Sequence, residues 1–76
     1  MFDTVDMKGS EFLRKVKRFA DRKGLAYRWV AARGVGSHGT VYVGSRMAVV
    51  KDLKKELGSG LFRSMCNDLD INPRDL

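Results

Sequence analysis

Seventy-six residues, 43% of them apolar, suffice for one modest core and not for two, so the chain reads as a single domain over residues 1–76. Fifteen Lys and Arg against nine Asp and Glu leave a net charge of +6, which favours polyanions or acidic proteins as partners. The single Cys66 excludes an internal disulfide, apolar runs such as Met47-Ala48-Val49-Val50 are strand length rather than membrane length, and Asp3 and Asp6 precede any apolar stretch; no membrane span or signal peptide is expected, and a reducing, cytoplasmic setting is.

Residues 1–7 read as a loose lead-in. Ser10 is the expected N-cap of a first helix, with Glu11 in the first turn, where a carboxylate meets the positive end of the helix dipole. Phe12, Leu13, Val16, Phe19 and Ala20 recur at the spacing of an amphipathic stripe, and Gly24 behind Arg22-Lys23 marks the stop. Arg14, Lys15, Lys17, Arg18, Arg22 and Lys23 make this helix strongly basic. Such a face suits a phosphate backbone or an acidic protein, and it equally suits plain solvation.

Three strands follow. The first, Leu25 to Ala32, carries Tyr27, Trp29 and Val30, side chains that favour a pleated surface. Arg33-Gly34-Val35-Gly36 is a four-residue turn, and Ser37 to Val43 is the second strand. Gly44-Ser45 fits a two-residue hairpin loop with glycine at its first central position, leading into a third strand, Arg46 to Lys51. A charged loop, Asp52 to Gly58, precedes a second helix that begins near Ser59 and buries Leu61, Phe62, Met65, Cys66 and Leu69. Asn72-Pro73 ends the regular structure. The order is α-β-β-β-α. Its expected fold is α+β, a two-layer sandwich with both helices on one face of a three-stranded antiparallel sheet.

The chemistry centres on Gly36-Ser37-His38-Gly39-Thr40-Val41-Tyr42, which holds the sole histidine. An imidazole both accepts and donates protons near neutrality, and in so basic a chain the polyanion it would act on is RNA. Counting outward from Gly44-Ser45 sets Tyr42 against Met47, Thr40 against Val49 and His38 against Lys51. Arg33 and Lys54 are expected at the same edge. Cations there favour the neutral, proton-accepting imidazole and hold a phosphate, while the glycines and amides of the Gly36-Ser37 turn admit a phosphate oxygen.

Several alternatives belong beside this reading. A lone histidine at a strand end also suits a surface residue or a local hydrogen-bond partner. Ser37 and His38 point to opposite faces of a strand and form no nucleophile–base pair. With no second histidine, and Cys66 in another element, no metal or other cofactor is expected. Strict alternation sets His38 on the face of Tyr42 and, across the first hairpin, of Tyr27 and Trp29, the expected core side. His38 then lies at the end of the sheet, beyond the helices; a bulge in the turn, or an aromatic face left open for base stacking, are the other solutions.

From about Lys8 to Leu76 the chain resembles the HicA-type toxins, the mRNA-cleaving halves of bacterial HicA–HicB toxin–antitoxin pairs. The resemblance rests on Gly36-Ser37-His38-Gly39-Thr40 with Tyr42 and Gly44, and on Lys51-Asp52 followed by Lys54-Lys55-Glu56. It continues in Gly58, Gly60-Leu61, Met65, Leu69 and Asp75-Leu76. It implies a fold like that of double-stranded-RNA-binding domains, a catalytic His38, mRNA as substrate and an antitoxin of the HicB type as partner. Leu25 to Val35 is longer than in the most compact members, and Val35 stands where a basic residue would be unsurprising. The expected activity is that of a metal-independent endoribonuclease, with Arg33, Lys51, Lys54 and Lys55 neutralising phosphate charge. The alternatives are a non-catalytic RNA-binding module and an inactive interaction partner.

Overall fold

The computed structural model describes residues 7–34 and 38–76. In chain order these form β1 (Met7–Lys8), α1 (Gly9–Lys23), β2 (Tyr27–Ala31), β3 (Gly39–Val43), β4 (Arg46–Val50), β5 (Glu56–Leu57), α2 (Ser59–Asp68) and a closing 3-10 turn (Pro73–Asp75). The arrangement is α+β: two helices and a three-stranded antiparallel sheet in the order β2-β3-β4. Beside it, β1 and β5 pair antiparallel as a separate ribbon, Met7 with Leu57 and Lys8 with Glu56. That ribbon falls in what was expected to be lead-in and charged loop. Among the described residues no helix is long and apolar enough to cross a membrane.

The stripe of α1 is buried as its spacing predicts, Phe12, Val16 and Ala20 completely. The helix starts earlier than expected: Lys8 is the N-cap and Ser10 lies inside, its amide donating to the Leu53 carbonyl at 3.1 Å. Glu11 reaches back to accept from the Lys8 amide at 3.4 Å. At the other end Gly24 takes the left-handed conformation (φ 69°), and the Leu25 amide donates to the Ala20 carbonyl at 2.8 Å, satisfying a carbonyl the helix leaves free. Helix α2 buries Phe62, Met65 and Cys66, with Leu69 and Ile71 behind them, whereas Leu61 is 40% exposed. Asn72-Pro73 does not end the order: the Asn72 side chain accepts from the Arg74 amide at 3.0 Å and caps the 3-10 turn.

The β3–β4 hairpin turns on Gly44 (φ 60°) and Ser45, with Val43 opposite Arg46, Tyr42 opposite Met47 and Thr40 opposite Val49, as counted from the sequence. The β2–β3 register differs. Tyr27 pairs with Val43, Trp29 with Val41, and Tyr42 with Arg28. The pairing continues to Ala32, whose amide donates to the His38 carbonyl at 2.8 Å. Five residues therefore lie between the last hydrogen-bonded positions, Ala32 and His38, instead of the expected four, and a slip of one residue exchanges the faces. Tyr27 and Trp29 pack with Val41, Val43, Ala48 and Val50 beneath the helices, α1 across β2 and β3 and α2 along β4. Tyr42 stands on the opposite, uncovered face, so the expectation that it shares the core side with Tyr27 and Trp29 is corrected.

The core is wholly apolar apart from the Cys66 thiol: among the described residues no polar or charged side chain is buried. Phe12 of α1 and Phe62 of α2 meet edge to face, with ring centroids 6.0 Å apart at 85°, and join the two helices over the sheet.

Candidate functional site

His38 lies one residue before β3, half-buried at the end of the sheet. The β3–β4 ladder closes at Gly39–Val50, and one step further stand His38 and Lys51. Both line a cleft of ≈ 370 Å³ together with Lys55. Asp52, Glu56, Leu57 and Leu61 complete its walls. Leu57 is buried and Leu61 exposed, so the lining mixes two apolar side chains with five ionisable ones.

The loop carrying the lysines is held by its own side chains and by α1. The Asp52 carboxylate accepts from the Lys54 amide at 2.8 Å, closing a local turn. The Leu53 and Lys55 carbonyls accept from the first amides of α1, Ser10 at 3.1 Å and Gly9 at 3.3 Å. These bonds satisfy two of the donors that every helix leaves open at its start. Gly9 lets the loop come this close: a methyl there would stand 2.6 Å from the Asp52 carbonyl oxygen and 2.9 Å from Leu53 Cα. On the strand side, a methyl on Gly39 would stand 2.6 Å from the Trp29 ring and 2.5 Å from the Val30 carbonyl. Two glycines thus bring the loop and the histidine to a common edge.

Of the residues expected to act together, the structure brings His38, Lys51 and Lys55 into one cleft. Lys54 and Arg33 are exposed but do not line it. Gly36 and Ser37 lie outside the described residues. Asp52, Glu56, Leu57 and Leu61 also line the cleft, a role the sequence does not assign to them. Asp52 and Glu56 stand in the charged run beside the lysines; Asp52 follows Lys51 past the end of β4, and Glu56 pairs with Lys8 in the β1–β5 ribbon. The lining cations and carboxylates are equal in number, two of each, so the cleft offers a phosphate an ammonium pair and offers a proton a choice of carriers. Among the described residues no three of His, Cys, Asp and Glu gather as metal ligands.

The basic face of α1 is partly engaged in the fold. Arg22 donates to the Asp75 main-chain carbonyl at 2.9 Å and lies 6.0 Å over the Phe19 ring, and the Lys23 ammonium lies 5.9 Å over the same ring. Arg14 and Lys17 form exposed pairs with Glu11 and Asp21, each at 3.8 Å, of small energetic weight. A larger depression of ≈ 530 Å³, between the end of α1 and the C-terminal segment, is lined by Asp70, Asp75 and Lys23 and has no histidine. The His38 cleft alone among these combines the histidine with cations. Comparison with protein-family models, with curated proteins and with solved structures finds no match to the chain, so a functional reading rests on this cleft and the sequence around it.

Proposed function

We propose that the chain is a metal-independent endoribonuclease of the HicA type, a toxin that cleaves mRNA and is held inactive by an acidic antitoxin of the HicB type, on a fold akin to double-stranded-RNA-binding domains. One observation carries the proposal: the sole histidine shares a small cleft with two lysines at the end of the sheet. In the reaction, His38 takes the proton from a ribose 2′-hydroxyl, and that oxygen attacks the adjacent phosphorus. The P–O5′ bond breaks, leaving a 2′,3′-cyclic phosphate and a 5′-hydroxyl. Lys51 and Lys55 neutralise the phosphate as charge builds on it, and one of their ammonium groups or a water protonates the departing 5′-oxygen. Lys54 and Arg33 act further out, on flanking phosphates.

The test compares His38→Ala and His38→Gln with the parent chain. Cleavage of mRNA and growth arrest should vanish while the melting temperature holds within a few degrees, because a half-buried residue in an open cleft adds little to stability. Parent activity should persist in excess EDTA and stop when the scissile ribose is 2′-deoxy. Chelator sensitivity, cleavage of the deoxy substrate, or unfolding in step with lost activity would remove the mechanism. A non-catalytic RNA-binding module is the second reading, favoured by the exposed cations on α1. It predicts RNA binding without cleavage in the parent chain.

A further inference from the structure

Where α2 ends, a cavity of ≈ 460 Å³ is lined by Arg63, Asn67, Ile71, Asn72, Pro73 and Arg74. Arg63 and Asn67 stand four residues apart on one face of the helix. The chain then turns back on itself. Asp70 takes the left-handed conformation (φ 57°) and its amide donates to the Asn67 carbonyl at 3.1 Å, while the Ile71 amide donates to the Cys66 carbonyl at 2.8 Å. This ending brings Asn72 and Arg74 to the same cavity as Arg63. Among the described residues no carboxylate lines it: Asp70, paired with Arg46 at 3.8 Å, and Asp75 line the neighbouring depression instead. Nor, among the described residues, does Arg63 or Arg74 form an ion pair or donate a side-chain hydrogen bond.

We propose that this cavity binds a nucleotide, with Arg63 and Arg74 on its phosphate and Asn67 and Asn72 on the edge of its base. Two guanidiniums without a carboxylate select an anion, and their planar forks match the oxygens of a phosphate. The volume lies within the ~300–1,000 Å³ of small-ligand sites, which leaves room beside the phosphate for a sugar and a base. The Asn72 oxygen accepts from the Arg74 amide at 3.0 Å, so its NH2 group remains to donate; Asn67 offers both a donor and an acceptor. Such amides pair with the edge of a base, adenine above all. A peptide carboxylate suits the guanidiniums equally but has no planar edge for the amides. Ile71 and Pro73 add apolar surface that a base can cover. The nucleotide is either free or one residue of an RNA strand, and the two share this chemistry. About 200° of helical turn separates Leu61, in the His38 cleft, from Arg63. The cavity therefore stands on another side of α2 and needs neither His38 nor the nuclease reading.

The test uses the full-length chain carrying His38→Ala, so that RNA stays intact and binding is read without cleavage. Adenosine 5′-monophosphate and a short oligoadenylate are titrated in turn, and the side-chain Nε–H signals of Arg63 and Arg74 are followed by nuclear magnetic resonance. Both signals should shift. Saturation by the mononucleotide marks a free nucleotide as the ligand; saturation by the oligoadenylate alone marks a residue of an RNA strand. Arg63→Lys and Arg74→Lys keep the charge but lose the planar fork. Each should weaken binding by about tenfold, the loss of one charge-assisted hydrogen bond, and because both side chains are exposed the melting temperature should hold. Four outcomes overturn the proposal: neither signal shifts, inorganic phosphate displaces the nucleotide at equal concentration, an oligoglutamate binds as tightly as the oligoadenylate, or the lysine variants bind as the parent does. A parent chain that cleaves no RNA loses the nuclease reading and leaves this result untouched.

Discussion

Two glycine-to-alanine changes should move stability in opposite directions. At Gly9 the new methyl would meet main-chain atoms of Asp52 and Leu53 at 2.6 Å and 2.9 Å. Ordinary carbon contacts need about 3.5 Å, so the loop must retreat by nearly an ångström. The Ser10–Leu53 and Gly9–Lys55 hydrogen bonds, at 3.1 Å and 3.3 Å, do not survive that displacement. Their loss costs about 1 kcal/mol each, and overpacking adds ~1–3 kcal/mol, against up to about 1 kcal/mol returned by alanine's helix preference. The net loss is ~2–4 kcal/mol, or upwards of about 10 °C in melting temperature for a chain of this length. Gly60, in the first turn of α2, has nothing within 4 Å of its Cβ position. Alanine there should gain ~0.5–1 kcal/mol. Thermal and urea unfolding followed by circular dichroism reads both. Equal signs for the two variants, or a Gly9→Ala melting temperature at or above the parent's, would refute the close docking of the loop on α1.

Phe12→Ala removes a completely buried ring and its edge-to-face partner contact, which costs ~3–5 kcal/mol. Since 76 residues support only about 4–11 kcal/mol in all, a melting temperature within 10 °C of the parent's would contradict this packing. Burial pushes the Cys66 thiol from an ordinary 9.0 up to about 11, and it raises Tyr27 as well. Between pH 9 and 11 the unfolded chain loses the thiol proton and the folded chain keeps it, so stability falls as pH rises through that window. The fall in urea midpoint from pH 8 to 10.5 should be smaller in Cys66→Ala; an equal fall would show that the thiol ionises alike in both states. In the cleft, Lys55→Glu should lower RNA cleavage several-fold more than Lys54→Glu, because only Lys55 lines it. Equal losses would point to general charge rather than position.

Where a local rule determines geometry, the structure follows it. The α1 stripe needs only a 3.6-residue period, and the β3–β4 register needs only a two-residue turn with glycine first, so His38 and Lys51 were found as neighbours by counting. The β2–β3 register had no such anchor. A longer connection leaves the count uncertain by one residue, and one residue decided whether Tyr42 faced the core or solvent. Two-residue strands have no period at all, so the sequence at β1 and β5 reads as lead-in and loop. Asp52, Glu56, Leu57 and Leu61 are not legible as cleft residues for a similar reason: they come from a loop, a two-residue strand and a helix whose meeting with His38 is a matter of tertiary structure. Leu61 fits the apolar spacing of α2 yet is 40% exposed and lines the cleft.

Trp29 is the only tryptophan, and its indole lies against Gly39, the residue that follows His38. Excited at wavelengths that tyrosine does not absorb, the chain therefore emits from a single indole beside the histidine, half-shielded from water. Any ligand that enters the cleft and shifts the start of β3 alters the packing of that ring, so a titration can be followed by wavelength and intensity without a label. The same signal separates local from global events: occupancy of the cleft perturbs the indole while it stays shielded, whereas unfolding releases it to solvent and moves the emission to the red.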